Sequence, residues 1–171
     1  MSPTYLLKTV IVGSGSVGKT SMIIRYSSGS FREHYSPTLG TGFAYKKLKL
    51  GEDFATLQIW DMGSQDFLER VRANYYVGTH AVVFMFDLTS KESMIEILDW
   101  KKEVDSYLDN YTSLLVGNKT DLVMDRVITA EEGRKMAERM GMDYLETSVK
   151  LDQNVNEVFV RTTRNIIKHF F

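Results

Sequence analysis

Six short segments of the chain are either apolar at nearly every position or alternate apolar with polar residues, and most are separated by stretches with helical spacing. Tyr5 to Val12 (YLLKTVIV) is almost continuously apolar and β-rich, the pattern of a strand covered on both faces. Thr20 to Tyr26 then reads as helix, and Gly29 to Gly42 is polar and irregular. Phe43 to Leu50 alternates as a strand, turns at Gly51-Glu52-Asp53, and forms a hairpin with Ala55 to Trp60. Gln65 to Tyr76 is charged and partly helical, Ala81 to Asp87 is a buried strand, and Ser90 to Leu108 is an amphipathic helix. Leu114 to Gly117 is another buried strand. Thr129 starts a helix with Glu132 as its capping-box partner, and Gly141 should stop it. Asp143 to Thr147 is a short last strand, followed by a helix over Asn154 to Phe170 with Val155, Val158, Phe159, Thr162 and Ile166 on one side. This alternation predicts an α/β fold: a mostly parallel six-stranded sheet, one antiparallel strand from the hairpin, and helices on both faces.

Composition narrows the picture mainly by exclusion. The 171 residues, 43% of them hydrophobic, suffice for one core, and the whole of 1–171 is expected to be one domain. A formal net charge of -1 gives no field to draw the chain to nucleic acid or to an anionic membrane surface. Without cysteine, the chain has no disulfide, thiolate metal site, thiol nucleophile, or prenyl or palmitoyl anchor within these residues. Ser2 stands where myristoylation needs glycine, Lys8 breaks the first apolar run, and Ala81 to Phe86 is far too short to span a bilayer. A soluble chain is expected. His34, His80 and His169 are scattered and read as surface or core residues, the nine methionines as core filler, and the charges around Glu131 and Glu132 as a solvated helix face.

The chemistry begins where the first strand ends. Gly13-Ser14-Gly15-Ser16-Val17-Gly18-Lys19-Thr20 fits G-x-x-x-x-G-K-[ST] at every position and lies between a strand and a helix. Small residues let successive N–H groups converge on phosphate oxygens. Lys19 brings an ammonium to the outer phosphates, Thr20 a hydroxyl to Mg²⁺, and the helix its positive end. In a parallel sheet, ligands sit beyond the carboxyl ends of the strands, and polar residues follow other strands as well: Asp61, Asn118-Lys119-Thr120-Asp121 and Thr147-Ser148-Val149-Lys150. In N-K-x-D, the Asp121 carboxylate can accept two N–H groups from guanine, an edge that adenine lacks. Asn118 would tie this loop to the phosphate loop, and the Lys119 stem would lie along the base.

With these motifs the chain resembles the Ras superfamily of small GTPases, most closely its Rab branch, over Leu6 to Phe171. The resemblance implies a P-loop G domain that binds GDP or GTP with Mg²⁺. It implies that Gly15, Ser16, Val17, Gly18, Lys19, Thr20 and Ser21 line the phosphates, and that Phe31 packs against guanine. Tyr35 and Thr38 would belong to switch I, Thr38 completing the Mg²⁺ coordination; Asp61 would bind Mg²⁺ through water, and Gln65 would orient the attacking water. Ser148, Val149 and Lys150 match the family's base loop, the Val149 N–H facing the guanine oxygen and Lys150 covering the ring. The Rab likeness rests on Phe43, Trp60 and Tyr75, which match an effector-facing aromatic triad, and on Tyr75-Tyr76-Val77-Gly78.

One stretch departs from the family pattern. Where D-T-A-G-Q is expected the chain has Asp61-Met62-Gly63-Ser64-Gln65, so Ser64 stands at the glycine whose N–H meets the γ-phosphate and whose peptide turns when that phosphate leaves. Either the switch couples less sharply to the nucleotide, or Gly63 supplies the freedom from one residue earlier. The expected activity is slow GTP hydrolysis, with a GTPase-activating protein supplying an arginine, a guanine-nucleotide exchange factor and effectors as further partners, in membrane traffic. The alternative is a guanine-nucleotide-binding scaffold with weak hydrolysis and impaired switching. A P-loop kinase or ATPase would lack the Asp121 selector. The expected location is cytoplasmic and peripheral on an endomembrane, reached through a partner or through a prenylated tail beyond these residues.

Overall fold

The computed structural model describes residues 4–29, 41–65 and 68–171. Strands β1 (Thr4–Val12), β2 (Thr41–Leu50), β3 (Asp53–Met62), β4 (Ala81–Asp87), β5 (Thr112–Asn118) and β6 (Asp143–Thr147) form one sheet in the order β2-β3-β1-β4-β5-β6. All neighbouring strands pair in parallel except β2 with β3. That hairpin closes through two residues, Gly51 and Glu52, between the paired Leu50 and Asp53, and Gly51 adopts φ +65°. A left-handed first position matches the right-handed twist of the strands and favours glycine. The hairpin is longer than apolar alternation alone suggests, because backbone pairing continues through Gly42–Asp61 and Thr41–Met62.

The helices are α1 (Lys19–Ser28), α2 (Glu69–Tyr76), α3 (Lys91–Ile95), α4 (Ile97–Tyr107), α5 (Ala130–Arg139) and α6 (Val155–Phe170). Side-chain alternation along the strands divides the core into two layers. On one face, Leu7, Ile11, Val83, Met85 and Val116 pack against Met22 and Ile23 of α1 and Val158, Phe159 and Ile166 of α6. On the other, Val10, Val12, Val82, Phe84 and Phe86 meet Tyr76 of α2, Ile97, Trp100 and Val104 of α4, and Ala137 of α5. Phe84, Phe86 and Phe159 are completely buried, and truncating any of them to alanine should cost about 3–5 kcal/mol.

The helix anticipated from Ser90 to Leu108 forms as two pieces meeting at Glu96, started by Ser90 as an N-cap that accepts from the Ser93 N–H at 3.1 Å. The capping box of α5 forms as expected, Thr129 and Glu132 bonding each other's backbone N–H at 3.1 and 2.8 Å. One expectation fails. Met22, Met62 and Met85 are buried, but Met124 is 95% exposed in the loop after β5, so the methionines are not uniformly core. His80, on the edge of the core, accepts a hydrogen bond from the Lys8 N–H at 3.0 Å on Nδ1.

Candidate functional site

Because β1, β3, β4, β5 and β6 run in parallel, their carboxyl ends open at one edge of the sheet, and the strand order reverses about β1. Residues 13–20 emerge there. Gly13 (φ +151°) passes so close to β4 that a Cβ would stand 2.1 Å from the Met85 carbonyl oxygen, and at Gly18 (φ +110°) it would stand 2.4 Å from Asn118 Nδ2. These two glycines are demanded by conformation and by space together. At Gly15 the nearest atom to such a Cβ is Ser64 Oγ, at 3.3 Å.

Helix α1 begins at Lys19 with no side-chain cap and no acidic residue in its first turn. The first N–H groups of a helix have no intrahelical partner and favour an anion at this end. Lys19 is buried and bends back over the loop, donating from Nζ to the Gly13 and Ser14 carbonyls at 2.8 Å each. Burial pushes its pKa down to about 8; Asp61 opposes the shift and Arg72 adds to it. Thr20 Oγ1 donates to Asp61 Oδ2, bringing together two of the oxygens assigned to Mg²⁺. Ser21 follows in the first turn of α1, and Ser14 Oγ donates to Glu96 at the α3–α4 junction.

Asn118, at the end of β5, ties the two halves of the site. Its Nδ2 donates to the Val17 carbonyl at 3.0 Å, and its Oδ1 accepts from Thr147 Oγ1 at 2.9 Å and from the Val149 N–H at 3.2 Å. Asp121 accepts on Oδ1 from Ser148 Oγ at 2.7 Å. Lys119, in the left-handed region at φ 78°, pairs with Asp87 at 2.7 Å. Lys150 is exposed beside this loop. The amide of Val149, assigned to the base by resemblance, is engaged with Asn118 in this structure.

Several supporting residues carry no motif. Arg25, in the last turn of α1, donates to the carbonyls of Val149 at 3.1 Å, Lys150 at 2.8 Å and Gly29 at 3.0 Å, holding the base loop from behind. A basic residue at a helix end is the sole sequence signal for it. Glu146 accepts from Arg126 at 2.5 Å and from Tyr144 at 2.7 Å, and its carbonyl accepts from Asn154 at 2.8 Å. Buried Arg72 reaches from α2 to the backbone around Ser64 and to Glu103 of α4.

Beyond Asp61, which is 2% exposed, the chain leaves the sheet through Met62, Gly63, Ser64 and Gln65. Gln65 Oε1 is buried and makes no hydrogen bond to the described residues. Phe31, Tyr35 and Thr38 lie outside the described residues. On the outer face of the hairpin, Phe43 and Trp60 are register partners with ring centroids 4.5 Å apart, and Tyr75 lies 5.3 Å from Trp60. Lys8 Nζ sits 4.9 Å over the Trp60 ring and donates to the carbonyls of Tyr75 and Val77, which ties the end of α2 to β1.

Sequence comparison agrees with this arrangement. The profile of the family described as the Ras family matches residues 8–168. The chain is 36% identical over 157 residues to the Ras-related protein Rab-1 of Theileria annulata, covering 91% of this chain and 71% of that protein. It is 37% identical over 158 residues to human Ras-related protein Rab-3A, covering 92% and 72%. To the GTP-binding protein YPTM2 of Zea mays it is 33% identical over 163 residues, covering 95% and 80%. A phosphate loop, an N-K-x-D loop and an aromatic hairpin face on this six-stranded sheet, with a family match across nearly the whole chain, make it a Rab-like GTPase of the Ras family.

Proposed function

We propose that the chain is a guanine-nucleotide switch in membrane traffic, acting on the cytoplasmic side of an endomembrane. It would bind GDP or GTP, hydrolyse GTP slowly by itself, and present its two switches and the Phe43–Trp60–Tyr75 face to effectors. The observation that carries the reading is the Asn118 bridge, which joins the phosphate loop at Val17 to the base loop at Thr147 and Val149 in one site. Polyphosphate and guanine can then be held by a single connected set of residues.

The residues assigned to the phosphates are Gly15, Ser16, Val17, Gly18, Lys19, Thr20 and Ser21, with Ser64 on the opposite wall. Asp121, Asn118, Lys119, Ser148, Val149, Lys150 and Phe31 are assigned to the nucleoside, and Tyr35 and Thr38 to switch I. Thr20, Thr38 and, through water, Asp61 would hold Mg²⁺; hydroxyl and carboxylate oxygens are the hard donors it prefers. Bound Mg²⁺ supplies neutralisation of charge on the outer phosphates. Lys19 adds a buried positive charge on the same side. Gln65 has a buried amide oxygen, without a hydrogen bond to the described residues, able to accept from a water and orient it for attack.

Among the described residues no helix is long and apolar enough to cross a membrane. Exchange factors, activating proteins and effectors are the partner classes this reading requires. Single-turnover hydrolysis of bound GTP, with and without an added activating protein, tests it. The expected result is slow turnover alone and acceleration of roughly 10³-fold or more with the activator. Turnover near one per second by the isolated chain would overturn the dependence, and equal effector capture in the GDP and GTP-analogue forms would favour a non-switching scaffold.

A further inference from the structure

The switch II departure at Ser64 coincides with a buried arginine that grips the backbone on both sides of it. Arg72 Nη1 donates to the Gly63 carbonyl at 3.0 Å and to the Gln65 carbonyl at 2.8 Å. Its Nε and Nη2 donate to both oxygens of Glu103, at 3.0–3.2 and 2.5 Å, and Tyr76 Oη donates to Glu103 Oε2 at 2.5 Å. The guanidinium also lies 4.8 Å from the centroid of the Trp100 ring. Arg72 is 4% exposed, so its charge is sheltered from water and its fork is held on both sides.

The peptide unit is planar and trans, so the Ser64 N–H points opposite to the Gly63 carbonyl. With that carbonyl and the next-but-one on Arg72, the Ser64 N–H must face away from the guanidinium, while Ser64 Oγ lies 3.3 Å from where a Gly15 Cβ would stand in the phosphate loop. Turning the Gly63–Ser64 peptide would strip Arg72 of a buried acceptor without replacement, an expensive loss for a charged donor. We propose that Arg72, buttressed by Glu103 and Tyr76, is a positioning residue that presets the Ser64 N–H towards the phosphate loop, so that this chain builds by clamping what a glycine elsewhere achieves by turning. The inference rests on the nucleotide-switch reading above.

The test compares the unaltered chain with Arg72→Lys and Arg72→Ala, measuring affinities for GDP and for a non-hydrolysable GTP analogue. Lysine keeps the charge but cannot span two carbonyls and two carboxylate oxygens. Both variants should lose about tenfold in GTP-analogue affinity relative to GDP, with GDP binding within about twofold of the unaltered chain. A merely structural role would weaken both nucleotides alike, and that result, or an unchanged ratio, overturns the proposal. A second readout needs no nucleotide: the Leu68 N–H donates to the same Gln65 carbonyl at 3.0 Å. Its hydrogen exchange should accelerate by about tenfold in Arg72→Lys; unchanged exchange in the folded variant refutes the clamp. Failure of the unaltered chain to bind either nucleotide would instead refute the switch reading, with the exchange result still deciding the clamp.

Discussion

Replacing Asn118 by alanine removes a side chain that is 3% exposed and makes three hydrogen bonds to three different parts of the site. The partners left behind are the Val17 carbonyl, the Thr147 hydroxyl on a residue with no exposure, and the Val149 N–H on a residue that is 2% exposed. None of them can turn to bulk water in place. A neutral hydrogen bond contributes about 1 kcal/mol, and each stranded buried group costs about 1–3 kcal/mol more. Partial relaxation of the loops keeps the total near ~3–4 kcal/mol, at the upper end of single substitutions. For a chain of this size that corresponds to a fall of roughly 10 °C in melting temperature. The assay is thermal and chemical denaturation of the nucleotide-free protein, alongside nucleotide affinity. Asn118→Asp is the companion: it preserves shape and the two acceptor contacts but sets a carboxylate against the Val17 carbonyl. It should be destabilised comparably. If Asn118→Ala lost nucleotide while the nucleotide-free protein kept its stability to within about 0.5 kcal/mol, the residue would act on the base alone and the bridge would be wrong.

Three further outcomes follow from the packing. Gln65→Leu removes the buried amide oxygen and should slow hydrolysis by roughly 10²-fold with nucleotide affinity nearly unchanged; single-turnover measurements on the loaded protein check it. Gly133→Ala, normally a stabilising change within a helix, should instead destabilise by about 1–3 kcal/mol, because the new methyl would stand 2.2 Å from the Tyr144 ring, which is held by Glu146 at 2.7 Å. Denaturant midpoints decide the sign. Burial, and secondarily the Lys8 charge, hold the His80 pKa below the ordinary 6.5. The unfolded chain then binds the proton more readily, so stability should decline as pH falls through 6.5 towards the folded value, and His80→Gln should flatten that slope.

The sheet was legible because strands buried on both faces leave continuous apolar runs, as at Val82 to Phe86, and because polar loop residues follow at their carboxyl ends. The phosphate and base loops were legible because their chemistry needs fixed residue types at fixed spacing: Gly13 and Gly18 are excluded from bearing a Cβ by Met85 and Asn118. Arg25 and Arg72 were not legible. Arg25 donates to the distant carbonyls of Val149 and Lys150 and Arg72 to the nearer ones of Gly63 and Gln65, and a carbonyl has no residue type to betray it. The same holds for Glu103 and Glu96, which look like ordinary charges on an amphipathic helix until the fold places them against Arg72 and Ser14. The extra length of the hairpin lies in backbone pairing, which apolar alternation does not register. Met124 shows the converse, an apolar residue whose exposure composition cannot foretell.

The account depends most on Asp121 choosing the base. Changing it to asparagine keeps an acceptor for Ser148 Oγ, which stands at 2.7 Å, and so leaves the loop intact while exchanging an anionic acceptor for a donor. Competition between GTP and XTP for Asp121→Asn and the unaltered protein measures that choice alone. GTP affinity should fall by roughly 10²-fold or more, because the amide N–H meets the guanine 2-amino donor, with a corresponding gain for XTP, whose 2-oxo group accepts from that N–H. Unchanged preference for GTP in the folded variant would contradict the assignment of this site to guanine.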